Sequence, residues 1–190
     1  MDLMYEIYNN KRTVFRLKDV SMLIGETNFS LLNQRLNYFV RTKKLLNPRK
    51  GVYCKPDYNP VELACRIFVP AYVSLEYVLA RAGVVFQYDS RITVLSYLSR
   101  EIEVEGQTIS FRKIKDSILI NTEGIDRQRD YVNIASPERA FLDMVYLNSS
   151  MYFDNLHPLN KEKIAQILPV YQSVKMDKVV EKMLKQDGYK

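Results

Sequence analysis

One stretch constrains this chain more than any other: residues 27–53, TNFSLLNQRLNYFVRTKKLLNPRKGVY. Set Phe29 at zero and advance about 100° per residue. Phe29, Leu32, Leu36, Phe39 and Val40 then share one apolar arc, and Ser30, Gln34, Asn37, Tyr38 and Arg41 fall on the opposite side. A stripe of this width predicts a helix with one buried face. Thr27 or Asn28 can cap it, and it runs to about Thr42. KKLLNPRKGVY then reads as a strand at Leu45–Leu46, an Asn-Pro turn and a strand at Val52–Tyr53. Arg49 and Lys50 sit on the Asn47–Gly51 tip of that hairpin.

The residues before it fit the same unit. Leu3, Met4, Ile7 and Tyr8 recur at helical spacing, Thr13–Phe15 suits a short strand, and Leu17–Ile24 suits a helix ended by Gly25. Helix, helix, glycine-containing turn, helix and basic hairpin is the order of a winged helix-turn-helix.

Charge placement separates this segment from the rest. Residues 1–55 carry 11 Lys and Arg against four acids, while residues 56–190 carry 17 against 18. The whole formal charge of +6 therefore comes from the first 55 residues. A single-sign field confined to one segment attracts a polyanion. A recognition helix needs donors and acceptors that match base edges in the major groove. Ser30, Asn33, Gln34, Asn37 and Arg41 have that chemistry, and Lys43, Lys44, Arg49 and Lys50 suit phosphates. The expected partner of this face is double-stranded DNA.

KPDYNP, residues 55–60, marks a boundary. The expected domains are 1–57, a winged helix-turn-helix, and 58–190, a mixed α/β unit. Helices are predicted at Val61–Ile67, Ser74–Ala82, a segment capped by Ser136 with Pro137 at its first position, Lys161–Leu168 and Met176–Gln186. Strands are predicted at Ile92–Tyr97, Ile102–Val104, Thr108–Ile114, Ser117–Asn121 and Tyr131–Ile134. The expected fold class is α+β, with a mainly antiparallel sheet in the second domain.

Nothing in the sequence points to catalysis. The one histidine, His157, lies beside a proline in a loop, and there is no phosphate-binding glycine loop. Glu101, Glu103 and Glu105 alternate along a strand and could share a face, but no further ligand lies near them in sequence, so a solvated face is expected rather than a metal site. Arg139 and Asp143 are spaced as i, i+4 partners, and Glu138 stands early in its helix, where a carboxylate complements the dipole. Cys54 and Cys65 read as reduced, buried thiols. No enzyme activity, cofactor or metal is expected. No run approaches 18 apolar residues and no signal-peptide pattern opens the chain, so a cytoplasmic protein without a membrane span is expected.

Four blocks occur in order: KGVY (50–53), NPVELACRI (59–67), PAYVSLEYVLARAGVV (70–85) and VNIASPERAFLDMVYL (132–147). Together they resemble the AbiEi family of abortive-infection antitoxins, over roughly residues 10–150. The AYVSLE and ASPERAFLDMVYL pieces are the most specific. The resemblance implies an N-terminal winged helix-turn-helix and a C-terminal antitoxin domain. It also implies repression of its own operon through inverted repeats, as part of a type IV toxin–antitoxin system used in phage defence. The implied antagonist is a nucleotidyltransferase-like toxin, neutralised with or without a stable complex. The alternative is a protein-interaction module that neutralises its toxin by direct contact, with DNA binding secondary. Two protomers on the repeats, or one monomer on each, fit the sequence equally.

Overall fold

The structure, a computed structural model, describes residues 2–87, 89–127 and 131–186. The first unit opens with α1 (Leu3–Asn9), whose N-cap Asp2 accepts from the Met4 amide at 2.9 Å. It continues through β1 (Val14–Arg16), α2 (Leu17–Ile24), α3 (Phe29–Arg41), β2 (Leu46–Arg49) and β3 (Val52–Cys54). Gly25 ends α2 at φ 69°, a left-handed conformation that costs glycine least. The strands form an antiparallel sheet in the order β1-β3-β2.

Alternation across this small sheet joins two cores. Phe15 and Tyr53 point into a core with Leu3, Ile7, Val20, Leu32, Leu36 and Leu45. Their neighbours Val14, Val52 and Cys54 point the other way, into the larger core of the second unit. The sheet is therefore a shared wall.

The second unit begins with α4 (Pro60–Ile67), capped by Asn59, with Pro60 at its first position. It continues with β4 (Ala71–Val73), α5 (Glu76–Arg81), β5 (Ile92–Ser96), β6 (Arg100–Val104), β7 (Gln107–Lys113) and α6 (Asp116–Leu119). Then come β8 (Ile125–Arg127), β9 (Asn133–Ala135), α7 (Pro137–Leu147), α8 (Lys161–Ile167), a 3-10 turn at Leu168–Tyr171, and α9 (Val174–Gln186). The sheet order is β6-β7-β5-β4-β9-β8. The β4–β5, β6–β7 and β8–β9 pairs are antiparallel, and the β5–β7 and β4–β9 pairs are parallel, so the sheet is mixed. The chain is α+β.

Helices cover both faces. On one, the residue after α4, Phe68, stacks edge-on against Phe111 of β7 at 4.8 Å, and its carbonyl accepts from Ser96 at 3.2 Å. On the other, α7 meets Tyr72 and Ser74 through Asp143. Between β4 and α5, Leu75 adopts φ 59° with its side chain fully buried. Such a conformation costs roughly 1–3 kcal/mol and persists only where packing imposes it.

Several expected elements differ. Ser117–Asn121 is not a strand: residues 116–119 form α6, because Ile118 and Leu119 are both buried and both amides turn back to the Lys115 carbonyl. The strand expected at Tyr131–Ile134 lies at Asn133–Ala135. β4 and β8 are additional to the expected strands. Asn47 and Pro48 belong to β2, and the turn is Lys50–Gly51, with Gly51 at φ 79°. Pro48 is tolerated because β2 is an edge strand. Glu105 does not continue the row of Glu101 and Glu103, since it lies beyond β6 in the turn, at φ 49°.

Candidate nucleic-acid interface

α3 is fixed at both ends. Asn28 accepts from the Leu31 amide at 3.0 Å, and the Thr42 hydroxyl donates to the Tyr38 and Phe39 carbonyls at 3.1 and 3.2 Å. Lys43 then turns the chain at φ 57°, and the Lys44 amide returns to the Phe39 carbonyl at 2.9 Å. From α1, the Tyr8 hydroxyl donates to the Lys44 carbonyl at 2.8 Å. The hairpin is braced from within by Asn47, whose Nδ2 donates to the Arg49 and Val52 carbonyls at 2.8 and 2.7 Å. The Leu17 amide, at the start of α2, donates to the Gly51 carbonyl at 2.9 Å.

Between α3 and the hairpin lies a groove of about 490 Å³. Ser30, Asn33 and Asn37 line it from the helix, and Asn47, Lys50 and Gly51 from the hairpin. Ser30, Asn33, Gln34, Asn37, Arg41, Lys43, Lys44 and Lys50 are all exposed. Among the described residues, none of the ion pairs uses Arg41, Lys43, Lys44, Arg49 or Lys50.

Three residues behave differently from the simple helical projection. Phe29 lies within the apolar arc but is 49% exposed; it lines the groove instead. Asn33 Oδ1 accepts from the Tyr53 hydroxyl at 2.6 Å, which leaves its amide nitrogen as the end available to a base. Arg49 is on a strand rather than the tip, and its guanidinium lies 4.1 Å above the Phe68 ring. No pattern of spacing within residues 27–53 could have revealed the Tyr53 or Phe68 partnerships, since both are tertiary.

The residues that looked most like an acid–base set form a structural network. Arg139 and Asp143 are fully buried and pair at 3.3 Å. Arg139 also donates to the carbonyls of Glu123 and Ile118 at 2.8 and 2.9 Å and to the Tyr72 hydroxyl at 3.2 Å. Asp143 accepts from Tyr171 at 2.6 Å, Ser74 at 2.8 Å and Tyr72 at 3.1 Å. Burial pushes its carboxyl upward, opposed by Arg139 and the three hydroxyls. With those oxygens already accepting from protein donors, the pair offers little to a substrate. Glu138 is buried, and its Oε1 accepts from the Asn160 amide at 3.2 Å. His157 is exposed, its amide donating to Asn155 at 3.0 Å. Among the described residues no three His, Cys, Asp or Glu side chains gather as a metal site, and no helix is long and apolar enough to cross a membrane.

Neither a protein-family model nor a curated protein matches the chain.

Proposed function

We propose that this chain is a DNA-binding transcriptional autorepressor and antitoxin of the AbiEi kind. Residues 1–57 act as a winged helix-turn-helix, with α3 as the recognition helix and the β2–β3 hairpin as the wing. Residues 58–190 act as a non-enzymatic, cytoplasmic antitoxin domain opposing a nucleotidyltransferase-like toxin. The antitoxin role rests on the sequence blocks that resemble that family; the DNA role rests on the first unit itself.

The observation that carries the DNA reading is the groove flanked by cations that, among the described residues, stand outside every ion pair. Ser30, Asn33 and Asn37 offer base-edge chemistry from the helix side of its lining, and Lys50 lines it from the hairpin. Arg41, Lys43 and Lys44 extend the same charge along the end of α3. Surface cations are usually solvated and paired loosely with nearby acids. Here the acids are absent from the pairing, and the polar side chains between the cations suit bases rather than water alone.

The test is binding of the full chain to a duplex of its own upstream region across a salt series. Steep loss of affinity with salt, weakened by Arg41→Ala with Lys50→Ala, supports the reading. Binding that ignores both salt and those substitutions sinks it.

Direct contact with the toxin is the second reading. Phe86 and Tyr152 are 69% and 76% exposed on adjacent loops, joined where the Phe86 amide donates to Asp154 at 2.8 Å. Co-purification with the product of the neighbouring gene separates the two readings.

A further inference from the structure

We infer that Tyr53 is a positioning residue for base recognition: by holding Asn33 Oδ1 it fixes the Asn33 amide with its N–H groups toward the duplex, so that Asn33 selects guanine over adenine in the major groove. The inference rests on the DNA-binding reading above and deepens it at one side chain.

Tyr53 joins the first core to the groove. It is 2% exposed and belongs to the core of Leu32, Leu36 and Leu45. Its hydroxyl donates to Asn33 Oδ1 at 2.6 Å, and both residues line the groove between α3 and the hairpin. A primary amide has an acceptor end and a donor end. The phenol decides which end turns inward. With the oxygen inward, the phenolic proton is bonded and the amide N–H groups are left to the groove. With the nitrogen inward, the phenolic proton would lose the one acceptor it has among the described residues. A buried donor left without its bond is destabilising. Burial also raises the Tyr53 pKa above its ordinary value, so the donor persists at neutral pH.

Three asparagines line the groove, and their amides are not equivalent. Asn47 commits both N–H groups to the Arg49 and Val52 carbonyls, at 2.8 and 2.7 Å, and keeps only its oxygen for a ligand. Asn37, one turn beyond Asn33, makes no side-chain hydrogen bond among the described residues and can turn either end to a base. Asn33 is held as a donor. It is the fifth residue of α3, and recognition helices offer their N-terminal residues to base edges. In the major groove guanine presents two acceptors, N7 and O6, whereas adenine presents the N7 acceptor and the N6 amino donor. An adenine contact through both ends of an asparagine needs the amide oxygen, which Tyr53 holds on the protein side. Fixed N–H groups meet guanine's acceptors and face adenine's amino group with like polarity.

The experiment measures fluorescence anisotropy of the full chain against duplexes of its own upstream region, each with one base pair changed. Loss of discrimination under Asn33→Ala marks the base pair that Asn33 meets, which should be guanine–cytosine. The unaltered chain should bind adenine there about 5- to 100-fold more weakly, and inosine, which keeps N7 and O6, as well as guanine. Tyr53→Phe removes only the hydroxyl and lets the amide turn, so the preference for guanine should vanish at that base pair and persist at the others. Asn33→Asp still accepts from Tyr53 but carries no donor, and it should lose the same preference. Adding Tyr53→Phe to Asn33→Ala should change discrimination no further. The inference is overturned, with the DNA reading intact, if Asn33→Ala alters discrimination at no base pair or at one that is not guanine–cytosine. It is overturned likewise if Tyr53→Phe keeps the preference or weakens every duplex equally. If the unaltered chain binds no duplex, the DNA reading fails and the inference falls with it.

Discussion

The Tyr171 hydroxyl donates to Asp143 Oδ1 at 2.6 Å, across the junction between α7 and the 3-10 turn, with both side chains buried. This bond ties the last third of the chain to the central sheet, because the same carboxylate accepts from Ser74 and Tyr72 beside β4. Asp143 is also the charge that balances Arg139. Removing one partner of a buried pair leaves the other charge uncompensated, at a cost of about 3–5 kcal/mol. Asp143→Ala should therefore lower stability by that amount in urea unfolding. Tyr171→Phe, which removes one bond to a charged group, should cost about 1.5–3 kcal/mol. A loss below about 1 kcal/mol for Asp143→Ala would mean that the network is not what holds α7.

The two thiols should be inert in the folded chain. Burial first, then the charges of Glu62 and Glu105, push Cys54 from 9.0 up to about 12. Burial pushes Cys65 from 9.0 up to about 11. Thiolate, the reactive form, is scarce at pH 8 for both. Iodoacetamide should label neither cysteine until urea unfolds the chain, when both react. The same shifts set an alkaline limit. The unfolded chain releases these protons near pH 9 and the folded chain only above about 11, so stability present below pH 9 declines as pH rises through that window. Rapid labelling of Cys54 under native conditions would show that the shared wall between the two cores opens.

The parts of the fold that the sequence made legible are those with local causes. Gly25 after a periodic run, Asn28 before one, and Ser136-Pro137 ahead of an apolar stripe each announce a helix end through backbone chemistry, and each does so in the structure. β4 was illegible because Ala71, Tyr72 and Val73 are all buried, so no alternation marks them as a strand. β8 was illegible for the opposite reason: Ile125–Arg127 is short, polar and at the sheet edge. At the candidate interface the exposed positions Ser30, Gln34, Asn37 and Arg41 follow from helical period alone. Arg49 does not, since its place depends on Phe68, nineteen residues later on the second unit. Phe29 does not either, because period gives direction around a helix but not distance past the edge of the core.

Glu62 should control how firmly the two units are joined. From α4 it accepts the Thr13 amide at 2.9 Å, the Thr13 hydroxyl at 2.6 Å and the Val14 amide at 3.3 Å. It is buried, and its removal strands donors at the start of β1. An unsatisfied buried donor costs about 1–3 kcal/mol. Glu62→Ala should raise hydrogen exchange at the Thr13 and Val14 amides before it does so in α7. Arg66 of α4, 3.8 Å from Asp19 of α2, should hold the units in contact even then. Exchange rising equally in both places would place the effect on global stability instead of the junction.

Lys50 and Asn37 face the same groove but should fail differently. Lys50 sits in the hairpin turn before Gly51, whose φ of 79° lets the loop close in two residues. A lysine there meets phosphate as a point charge, so Lys50→Ala should weaken binding to operator and random duplex alike and reduce the salt slope by about 1. Asn37 projects from the middle of α3 and can offer a donor and an acceptor together to adenine. Asn37→Ala should leave the salt slope unchanged and cost about 1–3 kcal/mol of discrimination at one base position. Anisotropy titrations on a set of singly substituted operators separate the two effects. If Asn37→Ala lowers affinity for every sequence equally, Asn37 positions the duplex without reading it, and discrimination comes from the other polar side chains of α3 or from the shape of the DNA.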